Sequence, residues 1–151
     1  MNAPRRKKNK RKLHPCSSVV LSFRFYLERH NEYVERIAKS LHGETYKTAP
    51  FDIATKNVQF YEVKVAQRRH RRGSVRMSIS KDELKFMNLM KEAYHFVLVV
   101  LGEPVTISTI SYEQMHKWES VRAIQRDFTG RQVKLIEFSK KRLSSLTPME
   151  V

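Results

Sequence analysis

The 151-residue sequence has little of several residue types on which common functional sites depend. Its one cysteine, Cys16, permits neither an internal disulfide nor a zinc site built on cysteines. Four glycines in the whole chain argue against a glycine-rich loop that cradles a nucleotide phosphate. No apolar run approaches the ~20 residues of a membrane-spanning helix. Residues 16–25 offer too little apolar length, and no clear cleavage site, for a signal peptide. These absences predict an intracellular protein without a membrane segment.

Acidic residues are also scarce. Fifteen Asp and Glu residues stand against 30 Lys and Arg residues, which gives a formal net charge of +15. A surplus of this size predicts a polyanionic partner, with nucleic acid as the first candidate and an anionic membrane surface as the alternative. The basic residues 1–15 contain little that could pack, so we expect a disordered arm that lies along phosphates.

What the sequence does contain is enough apolar residues for a core, at 40% of the chain, arranged with helical and strand periodicities. The expected order is helix, strand, strand, strand, helix, strand, an αβββαβ arrangement typical of an α/β sandwich with a mixed central sheet flanked by helices. The expected elements are a helix over residues 23–41 after a short extended piece at 19–21, strands over 44–49, 58–65 and 75–79, a helix capped by Ser80, and a buried strand over 96–101.

The C-terminal third gives a weaker pattern. It predicts a strand over residues 105–110, a helix over 112–124 that holds Trp118, and a strand or helix over 132–138. The predicted domain organisation is a basic arm at residues 1–15, one domain over 16–139 with a core at 23–102 and an extension at 103–139, and a polar tail at 140–151.

Residues 50–64 carry the most unusual chemistry. Alternation along the strand places Glu62 and Lys64 on the same face as Val58 and Phe60, a face that otherwise resembles a buried one. Charges on a buried face are costly unless they are paired or bound to a metal. A turn at residues 55–57 would bring Asp52 beside Glu62. Two acids and a lysine at one place predict a divalent-metal site.

The donors at this site suit Mg²⁺, which prefers oxygen ligands and commonly takes one or two carboxylates. Asp52 and Glu62 would supply the carboxylates, and the backbone carbonyl of Val63 is available as a third ligand. A metal held there would activate a water and stabilise charge on a phosphate under attack. Lys64 would orient that water, stabilise the developing anion or act as a general base.

Basic residues lie close to this stretch in the sequence. The segment 67–76 directly follows the strand that carries Glu62 and Lys64, and arginine forks suit phosphate oxygens. A solvated loop is the alternative. The residues predicted to bind nucleic acid are Arg68, Arg69, Arg71, Arg72, Arg76 and Lys81, with Arg5, Arg6, Lys7 and Lys8 of the arm.

The sequence Pro50-Phe51-Asp52, followed after nine intervening residues by Glu62-Val63-Lys64, resembles the PD-(D/E)XK nuclease signature, although Phe51 interrupts the strict Pro-Asp pair. The resemblance extends over roughly residues 28–101. This stretch is similar both to archaeal Holliday-junction resolvases and to the nuclease-like domain at the end of NO VEIN proteins.

This resemblance implies a restriction-endonuclease-like fold and a phosphodiesterase that depends on Mg²⁺ or Mn²⁺ and acts on DNA. It implies that Asp52 and Glu62 bind the metal and that Lys64 is the catalytic lysine. The helix glutamate of the family would be Glu35, with Glu32 as the alternative, and Gln67 matches a further polar position of some branches. Resolvases of this kind are dimers, so a homodimer is expected.

The prediction is therefore a metal-dependent DNA endonuclease, with branched DNA favoured over a defined duplex sequence. Two alternatives remain open at this point. The first is a nucleic-acid-binding protein that keeps the nuclease fold without catalysis. The second is a basic RNA-associated structural protein whose charged segments only clamp phosphates.

Overall fold

The computed structural model describes residues 15–68, 73–117, 123–126 and 130–151, with the side chains of 15–23 and 123–126 left out of the description. The helices are α1 (Pro15–Leu41), α2 (Lys81–Met90), α3 (Tyr112–Lys117) and α4 (Lys140–Ser144). The strands are β1 (Glu44–Thr45), β2 (Ile53–Ala54), β3 (Phe60–Gln67), β4 (Val75–Ser80), β5 (Tyr94–Leu101), β6 (Thr106–Ser111), β7 (Ala123–Arg126), β8 (Gln132–Phe138) and β9 (Thr147–Pro148).

A mixed sheet with the strand order β1-β2-β3-β5-β6-β9 forms the centre of the fold. Strands β3 and β5 are parallel, with Glu62 opposite Phe96 and Lys64 opposite Leu98, and the other neighbours are antiparallel. The connection between β3 and β5 contains β4 and α2, as a parallel pair requires a long crossover. The predicted α/β class with a mixed central sheet is confirmed.

Alternation along β3 and β5 divides the core between the two faces of this sheet. On one face, Val63 and Val97 pack with the helical stripe of α1 that includes Val34 and Ile37. On the other face, Phe96 and further residues of β5 pack with a second sheet of order β4-β8-β7 and with α2. Full burial of each large aliphatic or aromatic side chain contributes about 1.5–3 kcal/mol. The strand predicted to be buried on both faces has that position.

Several predicted elements differ from the observed ones in the first half of the chain. Helix α1 begins at Pro15, so it includes the piece at residues 19–21 that was expected to be extended. The expected edge strand over 44–49 is reduced to Glu44–Thr45. Strand β3 begins at Phe60 rather than Val58, because Val58 lies in the turn with a φ of 60° and a 62% exposed side chain.

The sheet that receives β4 is the largest difference in topology. An αβββαβ core was expected to place the strand over 75–79 with the others in one central sheet, whereas β4 pairs with β8 in a separate sheet. Buried Val75, Met77 and Ile79 alternate with exposed or half-buried residues, so β4 has one apolar face to cover. That face packs against the central sheet, in the core that also contains Phe96 of β5. The partner strand β8 belongs to the C-terminal third of the chain.

The C-terminal third contains more structure than its sequence pattern indicated. The segment over 132–138 is a strand, and the helix expected over 112–124 is the short α3 followed by β7, with Trp118 outside the described residues. The expected polar tail contains α4 and β9, and Leu146 between them is 5% exposed. Among the described residues, no helix combines the length and the apolar character needed to cross a membrane.

Candidate active site

The β2–β3 hairpin brings Asp52 beside Glu62, as the sequence predicted. Thr55 and Val58 close the turn through backbone hydrogen bonds, and Asp52 donates its backbone N–H to the carbonyl of Tyr61. The Asp52 side chain then accepts a hydrogen bond from the backbone N–H of Val63, with 2.8 Å between nitrogen and Oδ2. The carboxylate of Asp52 is thereby fixed at the edge of β3.

Aromatic packing holds the segment before Asp52 against the rest of the fold. The Phe51 ring lies 4.8 Å from that of Phe60 and 5.2 Å from that of Phe86 on α2, measured between centroids. The Tyr94 hydroxyl donates to the carbonyl of Pro50 over 3.0 Å. The residue that interrupts the Pro-Asp pair is therefore an anchor, and it places Asp52 without taking part in the polar cluster.

The third member of the cluster is a histidine of α1 that the sequence analysis did not select. His30 Nε2 lies 3.2 Å from Asp52 Oδ2, and donor atoms of His30, Asp52 and Glu62 all lie within 4.8 Å of one another. The hydrogen bond to Asp52 raises the pKa of His30, against the opposing effect of burial. One signal could have identified it, because His30 precedes Val34 by four residues and so continues the apolar stripe of α1.

Glu35 and Glu32, the two predicted helix carboxylates, are not members of this cluster. Both side chains are exposed, and Glu32 pairs with Arg29 at 2.8 Å. Glu35 lines a neighbouring cavity of about 420 Å³ that also touches His30 and Asp52. At about 100° per residue, Glu35 points roughly 140° away from His30 around the helix, which explains why the helix presents the imidazole to the hairpin instead.

Glu62, the third residue of β3, is 8% exposed. It lies on the face of the central sheet that packs against the second sheet and α2. Burial raises its pKa well above the ordinary value, the neighbouring acids Glu83 and Asp52 add to that effect, and Lys64 opposes it. Two carboxylates held this close with partial burial repel each other. A divalent cation between them would relieve that repulsion.

Lys64 lies between two acids. Its Nζ is 2.5 Å from Glu83 Oε2 and 3.6 Å from Glu62 Oε1. Burial disfavours the ammonium, but the charges of Glu83 and Glu62 outweigh it, and the pKa of Lys64 is raised. A charged lysine suits the stabilisation of a developing anion and does not suit the role of a general base.

Glu83 is the second residue of the site that sequence reasoning missed. Ser80 caps α2 by accepting the backbone N–H of Glu83 over 3.1 Å, so the predicted cap is confirmed. In a capping box the glutamate side chain would reach back to the Ser80 backbone. Here the Glu83 carboxylate contacts Lys64 instead, and it ties the start of α2 to β3.

The donor set fits a divalent metal. Asp52 and Glu62 supply carboxylate oxygens and His30 supplies an imidazole nitrogen. In a strand the N–H and C=O of one residue point to the same edge. Because the Val63 N–H points to Asp52, its carbonyl lies at the same edge of β3, and its role as a third ligand stays a prediction.

Asp52 and Glu62 line a cleft of about 570 Å³ between the loop before Asp52 and helix α2. Loop residues 47–50 form one wall. Glu83, Phe86 and Leu89 are on the other. The cleft opens to solvent beside Asp52 and Glu62.

The predicted nucleic-acid-binding residues that the structure describes lie on different elements and do not form one cluster. Lys81 is exposed at the first position of α2, and Arg76 is exposed on β4 with Glu137 at 3.8 Å. Arg68 and Gln67 are exposed at the end of β3, where Gln67 accepts a hydrogen bond from Tyr26. The remaining predicted residues lie outside the described part of the chain: Arg5, Arg6, Lys7, Lys8, Arg69, Arg71 and Arg72.

Comparisons with known proteins give no family assignment. No protein-family model matches this chain, and a search of curated proteins finds no match.

Proposed function

We propose that this protein is a metal-dependent nuclease that hydrolyses phosphodiester bonds in DNA, with Mg²⁺ or Mn²⁺ held by His30, Asp52 and Glu62. The observation that carries the proposal is the cluster itself. Three donor side chains from a helix, a loop and a strand converge within 4.8 Å, with the Lys64 ammonium 3.6 Å from Glu62. A net charge of +15 supports a polyanionic substrate.

The chain's own residues divide the work of hydrolysis. A metal at this site would lower the pKa of a bound water and stabilise negative charge on the phosphate. Asp52 is oriented by the Val63 N–H, which keeps one carboxylate oxygen in place. Lys64, held charged by Glu83 and Glu62, would stabilise the charge that develops on the phosphate oxygens.

The parallel β3–β5 pair and the placement of Asp52, Glu62 and Lys64 along one hairpin support a relationship to restriction-endonuclease-like proteins. Two features separate this chain from the expected pattern. A histidine replaces the helix glutamate at the cluster, and β4 lies in a second sheet. We propose that relationship for the hairpin and the central strands. Branched DNA is the substrate that we expect, with a dimer placing two sites across a junction.

The test is a cleavage panel of junction, flap, single-stranded and duplex DNA and of RNA, incubated with Mg²⁺, with Mn²⁺ and with EDTA. We expect metal-dependent cleavage of DNA that Asp52→Asn and Glu62→Gln abolish. Glu35→Gln is the matched control, because it also removes one acid and lies outside the cluster. Full cleavage by Glu62→Gln, or cleavage in EDTA, would exclude this site. DNA binding without cleavage by the intact protein would favour the non-catalytic alternative.

A further inference from the structure

The cleft that Asp52 and Glu62 line has a lysine on each wall. Lys47 belongs to the loop between β1 and β2, and Lys85 belongs to α2. Both side chains are exposed, and within the part of the chain that the structure describes neither forms an ion pair. The acids Asp52, Glu62, Asp82 and Glu83 line the same cleft, and none of the predicted nucleic-acid-binding residues does.

The α2 wall also presents an apolar surface to the cleft. Leu89 is 72% exposed, more than any other large apolar side chain of the described residues. Phe86 lies one turn earlier on α2 and is fixed from behind by Phe51 and Phe60. Sites for unpaired nucleic acid combine a cationic groove with apolar or aromatic surfaces on which bases rest. This wall has both features.

The apolar wall favours an unpaired strand as the occupant of the cleft. The bases of a duplex are paired and stacked, so their faces are not available to side chains such as Phe86 and Leu89. A short stretch of one strand, with its bases separated from a partner, can place phosphates at the two lysines and a base against this wall.

We propose that the cleft takes a single unpaired polynucleotide strand. Lys47 and Lys85 bind its backbone phosphates from opposite walls, and Leu89 contacts a base or sugar. The inference rests on the proposed function for the phosphate that reaches Asp52 and Glu62. The lysine contacts themselves require no cleavage, so they can be tested separately.

The experiment measures binding of the full chain in EDTA to a labelled oligothymidylate of about 12 nucleotides, within the range of known site sizes. Fluorescence anisotropy is recorded over a salt series for Lys47→Ala/Lys85→Ala and for the control Lys39→Ala/Lys141→Ala. The control removes the same charge from exposed lysines of α1 and α4 that do not line the cleft. Oligouridylate and a hairpin duplex serve as further probes.

We expect the cleft variant to reduce the slope of log K against log salt by about 1.4 for a single strand, since each phosphate contact contributes about 0.7. The control should leave the slope close to that of the wild type. Leu89→Asn should weaken single-strand binding a few fold without changing the slope, because it removes no charge. A DNA or an RNA preference is compatible with the proposal and identifies the polynucleotide.

Equal slopes for the cleft variant and the control would overturn the proposal. An equally large loss on the hairpin duplex would overturn the assignment to an unpaired strand. These outcomes are independent of the proposed function. If the wild type cleaves DNA but the cleft variant binds as the wild type does, the strand proposal is wrong and the proposed nuclease function stands. If the cleft variant shows the reduced slope but the wild type does not cleave, the strand proposal stands and the nuclease function is wrong.

Discussion

His30 and Asp52 are joined by a 3.2 Å contact between Nε2 and Oδ2 across 22 positions of sequence. The contact links α1, on one face of the central sheet, to the hairpin that carries Asp52 at its edge. Asp52 in turn accepts the backbone N–H of Val63. The position of the helix along the sheet therefore decides whether the third donor reaches the two carboxylates.

Removal of the imidazole should abolish metal binding. His30→Gln should lose the stabilisation that Mn²⁺ or Mg²⁺ gives the wild type, which is about 2.7 kcal/mol at a metal concentration of 100 times Kd. Thermal unfolding with and without each metal measures this effect. Glu35→Gln should retain the full stabilisation, and an equal loss in both variants would count against His30 as a ligand.

Neutralisation of the buried acid should stabilise the metal-free protein. Burial raises the pKa of Glu62, so the ionised carboxylate is unfavourable in the fold. We expect Glu62→Gln to raise the free energy of unfolding in EDTA by about 0.5–2 kcal/mol. Added metal should not stabilise this variant further. Urea unfolding in EDTA and in Mn²⁺ gives both values. A metal-free protein that Glu62→Gln destabilises would contradict the assignment of Glu62 as a buried, metal-binding acid.

The Lys64–Glu83 pair should be coupled in stability. Glu83→Gln leaves the Lys64 ammonium with Glu62 alone at 3.6 Å, and we expect a loss of about 1.5–3 kcal/mol. Lys64→Met combined with Glu83→Gln should lose less than the sum of the single changes. A double-mutant cycle by urea unfolding measures the coupling. Additive losses would show that the contact contributes nothing of its own.

The stability of the metal-free protein should fall as the pH rises. The folded-state pKa of Glu62 is raised by burial and that of His30 by its hydrogen bond to Asp52. Each raised pKa gives stability that is complete below the unfolded value, 4.5 and 6.5 respectively, and is lost as the pH rises through the folded value. Burial lowers the pKa of His95, which has the opposite sign.

Unfolding in EDTA over the pH range separates these groups. His30→Gln should flatten the decline above pH 6.5. His95→Gln should steepen the decline below pH 6.5, because the lowered pKa of His95 gives stability that increases as the pH rises toward the unfolded value. Metal-induced stabilisation should instead increase with pH, because a ligand histidine must lose its proton. A metal effect that is constant from about pH 5 to 8 would argue against imidazole ligation.

Local patterns predicted the elements whose signals lie within a few residues. The continuous β-branched run became the doubly buried β5, and the Ser80 cap formed at the start of α2. Alternation assigned Glu62 and Lys64 to one face of β3. In contrast, β4 has an ordinary one-sided strand pattern, which cannot specify the sheet that its edge joins. Pairing between β4 and β8 depends on contacts from a distant part of the chain.

The sequence by itself determined the hairpin of Asp52 and Glu62, because a turn and a two-residue period act locally. It also determined the positive surplus that supports a polyanionic partner. Only the tertiary structure decided the third donor and the partner of Lys64. Because of the way α1 packs on the sheet, His30 and not Glu35 lies beside Asp52 and Glu62. The start of α2 lies next to β3, which brings Glu83 into contact with Lys64. Both depend on how packed elements lie against one another, which spacing within one element does not record.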